Sequence, residues 1–253
     1  MYEVSHIIVT GGAGGIGGAV HEKLVSEVDS VSLFDNAFPE RPLNCACENS
    51  GGTRIKCDVT SMSEVVGAVR LAEAEHGAVS GLVIAAGILR PGHAESTEPQ
   101  DLKDMLSVNI LGASNVIQAA VPSMIRNGGG QVVVISSNSA RIARADLAGY
   151  SASKAGLSML ARSYALHLAE YGIGVNIVSP GSTRTDMLGV AVADAERGGA
   201  TRGTPSRFRV GIPTGRICEP EEIAEIVAFI VLGKAPQLVA ADIVLDGGAS
   251  LGA

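Results

Sequence analysis

His6-Ile7-Ile8-Val9-Thr10 runs directly into Gly11-Gly12-Ala13-Gly14-Gly15-Ile16-Gly17. An apolar, largely β-branched run without polar alternation reads as a strand buried on both faces of a parallel sheet. The glycines after it permit a tight turn and let the backbone approach a pyrophosphate, which then meets the positive end of the next helix. A glycine-rich turn alone is weak evidence. At the first strand-helix junction of an alternating chain it becomes a dinucleotide signature.

The alternation continues. Runs at 31–35, 53–57, 81–85, 131–136, 174–179 and 243–245 read as strands, with helices near 15–28, 61–76, 99–126, 150–171 and 220–233. In the helix after Tyr150, Leu157, Leu160, Ala161, Tyr164 and Leu168 make one apolar stripe, and Gly172 is its stop signal. The pattern predicts an α/β fold: a single-domain, Rossmann-type doubly wound sheet of about seven parallel strands with helices on both faces. One domain is expected over 1–253, with a cofactor part over about 1–130 and a catalytic and substrate part over about 131–253. Such sheets bind ligands beyond the carboxyl ends of their strands. Gly11, Asp35, Asp58, Gly87, Ser137 and Pro180 follow strands one to six and fall there.

Two segments depart from this regularity. Residues 36–52 are rich in Pro, Asn and Gly where a crossover helix would fit. Residues 186–216 form a long connection with Arg197, Arg202, Arg207, Arg209 and Arg216. Gly198, Gly199 and Gly203 give it flexibility, so it reads as a substrate lid with Met187 and Leu188 over the substrate.

Composition excludes several classes of function. Of 253 residues 46% are hydrophobic, enough for a large core, and a net charge of −7 argues against nucleic acid or an anionic membrane as partner. The longest apolar run, 226–232, is far short of the ~20 residues that span a bilayer. No signal peptide is visible, and a cytoplasmic location is expected. Cys45, Cys47, Cys57 and Cys218 read as reduced thiols. The scattered His6, His21, His76, His93 and His167 give no metal spacing, so no metal is expected. No nucleophile-elbow serine is present, which argues against hydrolysis.

The chemistry lies in Tyr150-Ser151-Ala152-Ser153-Lys154, with Ser137 thirteen residues earlier. A tyrosine and a lysine four apart share one helix face, and a nearby cation favours the phenolate. Work as a base near neutrality requires about 3–4 kcal/mol of differential stabilisation of that phenolate. Lys154 and the positive nicotinamide of a bound cofactor are the expected sources.

Asp35 ends strand two, eighteen residues after Gly17, close to the position of the acid that binds ribose hydroxyls. A carboxylate there repels a 2′-phosphate, and the glycine turn has no Lys or Arg to hold one, so the expected cofactor is NAD. Asp58-Val59 either frames the adenine or is an ordinary loop. Pro180-Gly181-Ser182-Thr183-Arg184-Thr185 is placed to hold the nicotinamide end.

Together these residues resemble the classical short-chain dehydrogenase/reductase family over essentially the whole chain. The likeness rests on the turn at 10–17, Asp58-Val59, Ala86-Gly87, Asn109, Ser137, Tyr150, Lys154 and Pro180-Gly181. It implies that Asn109, Ser137, Tyr150 and Lys154 are catalytic, with Asn109 anchoring a water chain from Lys154 to solvent. It implies that Gly11, Gly15, Ile16, Gly17, Asp35, Asp58, Val59, Ala86, Gly87, Tyr150, Lys154, Pro180, Gly181, Thr183 and Thr185 bind cofactor. It also implies a homotetramer, with the Tyr150 helix and the helix near 110–126 at one interface. Ile84-Ala85-Ala86-Gly87 departs from the family's Asn-Asn-Ala-Gly, which puts local sheet hydrogen bonds in question.

A narrower resemblance, to the 2,3-dihydro-2,3-dihydroxybenzoate dehydrogenases of catecholate siderophore pathways, is carried by five segments. They are Phe34-Asp35-Asn36-Ala37-Phe38, the stretch 85–92, the stretch 178–183, Gly211-Ile212-Pro213 and the ending 242–253. It implies oxidation of a ring alcohol of a small carboxylic acid, with Arg90 or Arg144 facing the carboxylate and Met187 against the ring. Arg184 departs from the acidic residue of those relatives and leaves the ring substituents open. The alternatives are the same chemistry on 2,3-dihydro-3-hydroxyanthranilate or another cyclic hydroxy acid, an NADPH-dependent ketoreductase, or a non-catalytic dinucleotide-binding protein.

Overall fold

The computed structural model describes residues 4–39, 52–93, 95–191, 199–205 and 208–251. Within them lie the strands β1 (His6–Thr10), β2 (Ser30–Asp35), β3 (Gly52–Lys56), β4 (Gly81–Ile84), β5 (Gly130–Ile135), β6 (Ile173–Pro180) and β7 (Asp242–Leu245). The helices are α1 (Gly15–Leu24), α2 (Met62–His76), α3 (Pro99–Leu106), α4 (Ala113–Arg126), α5 (Ala148–Leu168), α6 (Asp186–Ala191), α7 (Gly199–Arg202) and α8 (Pro220–Val231). The strands form one sheet in the order β3-β2-β1-β4-β5-β6-β7, every pair parallel. Strand order reverses between β1 and β4, which opens the crevice where this architecture takes its ligands.

Successive side chains of each strand face opposite layers. Ile8, Phe34, Leu82, Val132 and Val175 pack under α2, α4 and α5, whereas Ile7, Val9, Val31, Val133 and Val178 pack under α1 and α8. The central strands β1 and β4 are buried on both faces, whereas the edge strand β3 alternates, with Arg54 and Lys56 exposed. Each fully buried Ile, Leu or Val contributes roughly 1.5–3 kcal/mol.

Local structure departs from the sequence pattern where side chains bond across elements. The helix expected over 99–126 is a continuous rod of α3, a π-helical turn (Ser107–Gly112) and α4. Inside that turn Asn109 accepts from the Ile88 N–H (2.8 Å) and donates to the Ile88 carbonyl (3.0 Å), pinning the rod to the loop after β4. By length and mean hydropathy (1.3) Pro99–Arg126 is apolar enough to cross a membrane. It is instead a crossover helix, with Val116, Ile117, Ala120 and Met124 buried in the core. The helix expected over 15–28 ends at Leu24, and the one expected from 150 begins at Ala148. A 3-10 turn, Ala169–Tyr171, then tightens the chain before Gly172 (φ +70°) ends it.

β4 stops one residue short of expectation because the Thr10 hydroxyl accepts the N–H groups of Ala85 and Ala86, each at 3.2 Å. This contact anchors the loop where the family's asparagine pair is missing. Cys45 and Cys47 and most of 36–52 lie outside the described residues, as do Arg197, Gly198 and Arg207 of the 186–216 connection.

At the opposite end of the sheet His6 is fully buried. It donates from Nδ1 to the Gly77 carbonyl (3.0 Å), and its Nε2 hydrogen-bonds the Ser32 hydroxyl (2.9 Å). Burial lowers its pKa to about 4. Between about 4 and the unfolded value near 6.5 the unfolded chain binds the extra proton, so folding stability is lost as pH drops through that window. Wild type should lose up to about 3 kcal/mol more stability than His6→Gln between pH 7 and pH 4. Urea titrations at the two pH values check this; equal losses would remove the assignment.

Candidate active site

Tyr150 sits in the first turn of α5, and Lys154 lies one turn further on. Ser137 follows β5 and caps a short 3-10 turn, its hydroxyl accepting from the Ser139 N–H (3.1 Å). Lys154 Nζ donates to the Ile135 carbonyl (2.9 Å) and lies 5.9 Å from the centre of the Tyr150 ring. α5 is tied to β5 by Ser136, whose hydroxyl bonds Ser158 Oγ (2.7 Å) and the Lys154 carbonyl (3.2 Å). Thus Ser137, Tyr150 and Lys154 come from two elements locked together below the site. Asn109 lies behind them, its amide also donating to Ser153 Oγ (2.8 Å), which in turn donates to the Tyr150 carbonyl (2.8 Å). A side chain on Gly87 would come within 3.1 Å of Asn109 Oδ1 and 3.3 Å of Lys154 Nζ.

Burial drives the electrostatics here. It pushes the Tyr150 phenol up to about 12, opposed by the Ser137 hydrogen bond, and pushes the Lys154 ammonium down to about 8. The sequence expectation names Lys154 together with a bound nicotinamide as the source of phenolate stabilisation; among the chain's own groups, burial and Ser137 are what move the phenol. The chain's own groups leave the phenol a weaker acid than free tyrosine, because desolvation penalises the anion more than Ser137 supports it.

Two joined clefts cross the carboxyl ends of the strands. One, of about 370 Å³, is lined by Ser137, Tyr150, Lys154, Pro180, Gly181 and Thr183, with Arg144, Leu147, Met187, Leu188, Arg209 and Ile212 around its outer part. The other, of about 340 Å³, is lined by Gly11, Gly15, Ile16, Gly17, Asp35, Asp58, Val59, Ala86 and Gly87. Ile16, Ala85, Gly87, Thr185 and Met187 border both.

The second cleft fits a dinucleotide. α1 begins at Gly15 after Gly14, which gives it no side-chain cap, so its first N–H groups are left for an anion. Gly11 is left-handed (φ +71°), and a side chain on Gly15 would come within 2.7 Å of Thr185 Cγ2. Asp35 accepts from the Ala13 N–H (3.1 Å) and the Ala37 N–H (2.9 Å), which holds its carboxylate at the end of β2. Asp58 is fixed by the N–H and hydroxyl of Thr60, at 2.9 and 2.8 Å.

The three substrate expectations divide. Arg144 lines the first cleft; burial lowers its pKa, and the charge of Asp246 opposes the shift. Among the described residues no carboxylate forms an ion pair with it. Met187 also lines that cleft, beside Tyr150, Leu89 and Met105. Arg90 does not. Its guanidinium turns outward, 3.9 Å from Asp101 and 3.3 Å from its neighbour's Leu89 carbonyl, because residue 90 follows the buried Leu89 and faces α3. Arg184 also points away, pairing with Glu219 at 2.9 Å, so its departure from the relatives does not reach the cleft. Cleft residues to which the sequence reading gave no individual site role include Asn138, Ser139, Ala145 and Arg209. Arg209 stood among five arginines of one segment, and no local pattern separates it from the rest.

Comparison with known proteins agrees with this geometry. A model of the family described as short chain dehydrogenase matches residues 5–196. The 2,3-dihydro-2,3-dihydroxybenzoate dehydrogenase of Escherichia coli (strain K12) is 36% identical over 98% of both chains. The enzyme of the same name from Bacillus subtilis (strain 168) is 34% identical, over 96% of this chain and 95% of that one. Among solved structures, the aldohexose dehydrogenase of Thermoplasma acidophilum superposes with a TM-score of 0.83 at 30% identity, covering 98% of this chain and 95% of that one. Matched by the family's model over most of its length and by such relatives over nearly all of it, this chain belongs to the short-chain dehydrogenases, oxidoreductases that work on a nicotinamide dinucleotide.

Proposed function

We propose that this enzyme oxidises the C3 hydroxyl of a dihydroaromatic carboxylic acid with NAD, converting 2,3-dihydro-2,3-dihydroxybenzoate to 2,3-dihydroxybenzoate. The observation that carries the substrate class is Arg144: a half-buried guanidinium facing the cleft of Ser137 and Tyr150, without a carboxylate partner among the described residues. Asp246 acts on this half-buried cation only through space, without an ion pair, and a substrate carboxylate would supply a direct partner. The full-length likeness to two enzymes of that name supports the ring.

Bound in the second cleft, NAD supplies a hydride acceptor at nicotinamide C4 and a positive ring. Ser137 holds the substrate oxygen, and Tyr150 takes the hydroxyl proton as C3 is oxidised. Lys154 and Asn109 pass charge and proton toward solvent. The ketone left at C3 loses the C2 proton and becomes a catechol, so aromatisation makes the oxidation effectively one-way. Met187 and Leu188, after β6, line the same cleft, which supports their packing against the ring. A homotetramer in the cytoplasm is part of the same reading.

NAD is preferred to NADP in this reading because Asp35 stands where a 2′-phosphate would lie, and no Lys or Arg lines that half of the groove among the described residues. Asp35→Ala should raise KM for NAD about tenfold and bring KM for NADP closer to it, since the ribose hydroxyls lose a charge-assisted bond. A wild-type enzyme that favours NADP would overturn the cofactor assignment.

Arg144→Ala should lower kcat/KM for the ring acid about ten- to a hundredfold, mostly through KM. The deciding experiment follows NAD reduction with 2,3-dihydro-2,3-dihydroxybenzoate and 2,3-dihydro-3-hydroxyanthranilate side by side. Turnover of neither acid would sink the proposal.

A further inference from the structure

We infer that Asp246 is a positioning residue for the reaction, holding Ser137 in place through the side chain of Asn138. This rests on the reading above, in which Ser137 holds the oxygen of the alcohol being oxidised.

Ser137 caps the 3-10 turn after β5, Asn138 begins it, and both line the first cleft. The Ser137 hydroxyl accepts from the Ser139 N–H, a bond that spans residue 138. The Asn138 carbonyl accepts from the Arg141 and Ile142 N–H groups, each at 3.1 Å. Serine and turn are therefore one unit, and whatever seats Asn138 also seats Ser137. The seat comes from 108 residues away, where Asp246 Oδ2 accepts from Asn138 Nδ2 (3.1 Å) directly after β7. Both side chains are buried, at 6% and 7% exposure. A carboxylate that has given up water needs donors in return, and a hydrogen bond to a charged group is the stronger kind. The far end of the turn meets the same strand, since Arg141 pairs with Asp242 at the start of β7 (3.1 Å).

Asp246 is itself held firmly. Its Oδ1 accepts from the Gly248 N–H (2.9 Å), and its carbonyl accepts from the Ala249 N–H (3.1 Å). The Gly181 N–H donates to the Leu245 carbonyl (2.8 Å), and a side chain on Gly181 would come within 2.6 Å of Asp246 Cβ. The Thr214 N–H donates to the Gly247 carbonyl (3.2 Å), which ties the return of the 186–216 connection to the same turn. One carboxylate thus joins the turns after β5 and β6 to the segment that closes the sheet. Neither Asn138 nor Asp246 lines the second cleft, so the pair bears on the substrate end of the site. Placement there matters, because a shift of about 1 Å in reacting groups can cost on the order of 10²-fold in rate.

The test compares wild type with Asn138→Ala, Asp246→Asn and the exchanged pair, Asn138→Asp with Asp246→Asn. Asn138→Ala removes the donor, whereas Asp246→Asn leaves one amide oxygen for two N–H donors. In the exchanged pair the amide at 246 keeps the Gly248 bond and donates to the carboxylate at 138. With 2,3-dihydro-2,3-dihydroxybenzoate, kcat should fall about ten- to a hundredfold in both single variants, with NADH binding within about threefold of wild type. The exchanged pair should return kcat to within about fivefold of wild type, which a general loss of packing would not allow. Ser137→Ala is the reference and should cost about a hundredfold or more. The inference is overturned if that loss is seen while Asn138→Ala stays within about threefold, or if the exchanged pair does no better than Asp246→Asn. Crystal structures of wild type and Asn138→Ala give a readout without substrate. Ser137 Oγ should leave hydrogen-bond reach of the Tyr150 phenol that it contacts in wild type. If neither ring acid reacts, the reaction assigned above fails and these two structures decide the inference; an unmoved serine overturns it.

Discussion

Tyr150→Phe is expected to lower kcat for NAD reduction on the order of 10³-fold or more, with substrate and NADH binding changed by less than about threefold. The ring is buried among Leu89, Met105, Leu147 and Met187, so phenylalanine fills the same space and only the hydroxyl is lost. Ser137 loses its hydrogen bond to the phenol oxygen but keeps the one it accepts from the Ser139 N–H. Thermal stability should therefore stay within a few degrees of wild type, which separates lost chemistry from lost fold. The wild-type pH profile carries the same claim. A general base must be deprotonated, and burial holds the phenol up to about 12 in the protein alone. Oxidation rate should accordingly rise with pH until the cofactor-bound tyrosine has ionised. That rise should be absent from the residual activity of Tyr150→Phe. Turnover within tenfold of wild type would mean that another group takes the proton.

Gly17→Ala should abolish tight NADH binding and cost about 2–4 kcal/mol of stability. A methyl group at position 17 would press into the Gly11 carbonyl oxygen, 2.7 Å from its carbonyl carbon and 3.2 Å from the Gly12 Cα. All three are backbone atoms. Gly11 has no room to retreat: its N–H bonds the Phe34 carbonyl (2.8 Å), and its other side lies against the Ala85-Ala86 backbone. The turn must open, and the helix N-terminus then shifts from the pyrophosphate. Gly18→Ala is the matched control, since the nearest atom, the Gly12 carbonyl oxygen, is 4.0 Å away. It should be neutral or stabilise α1 by up to about 1 kcal/mol. Differential scanning fluorimetry and NADH fluorescence read both variants. Wild-type affinity in Gly17→Ala would show that the close approach is not required.

Much of this was legible before any coordinates. The strand-turn-helix at the start and the Tyr150–Lys154 spacing depend on neighbours in the chain, where backbone geometry repeats with known periods. Ile7 to Val9 and Val132 to Ile135 read as buried strands because nothing polar interrupts them on either face. Boundaries moved where a distant side chain intervened, as with Thr10 at the end of β4 and Asn109 in the π turn. The arginines show the limit most clearly. Arg90, Arg144 and Arg209 look alike as letters, yet the first faces Asp101 at the surface and the other two face the cleft.

Local order, then, already contained the sheet, its ligand edge and the reacting tyrosine, since periodicity and glycine turns act over a few residues. Which arginines line the cleft, and how burial moves the phenol, emerged from folding alone. Both are properties of space: charge and burial fall off with distance in ångströms, and sequence separation does not record it.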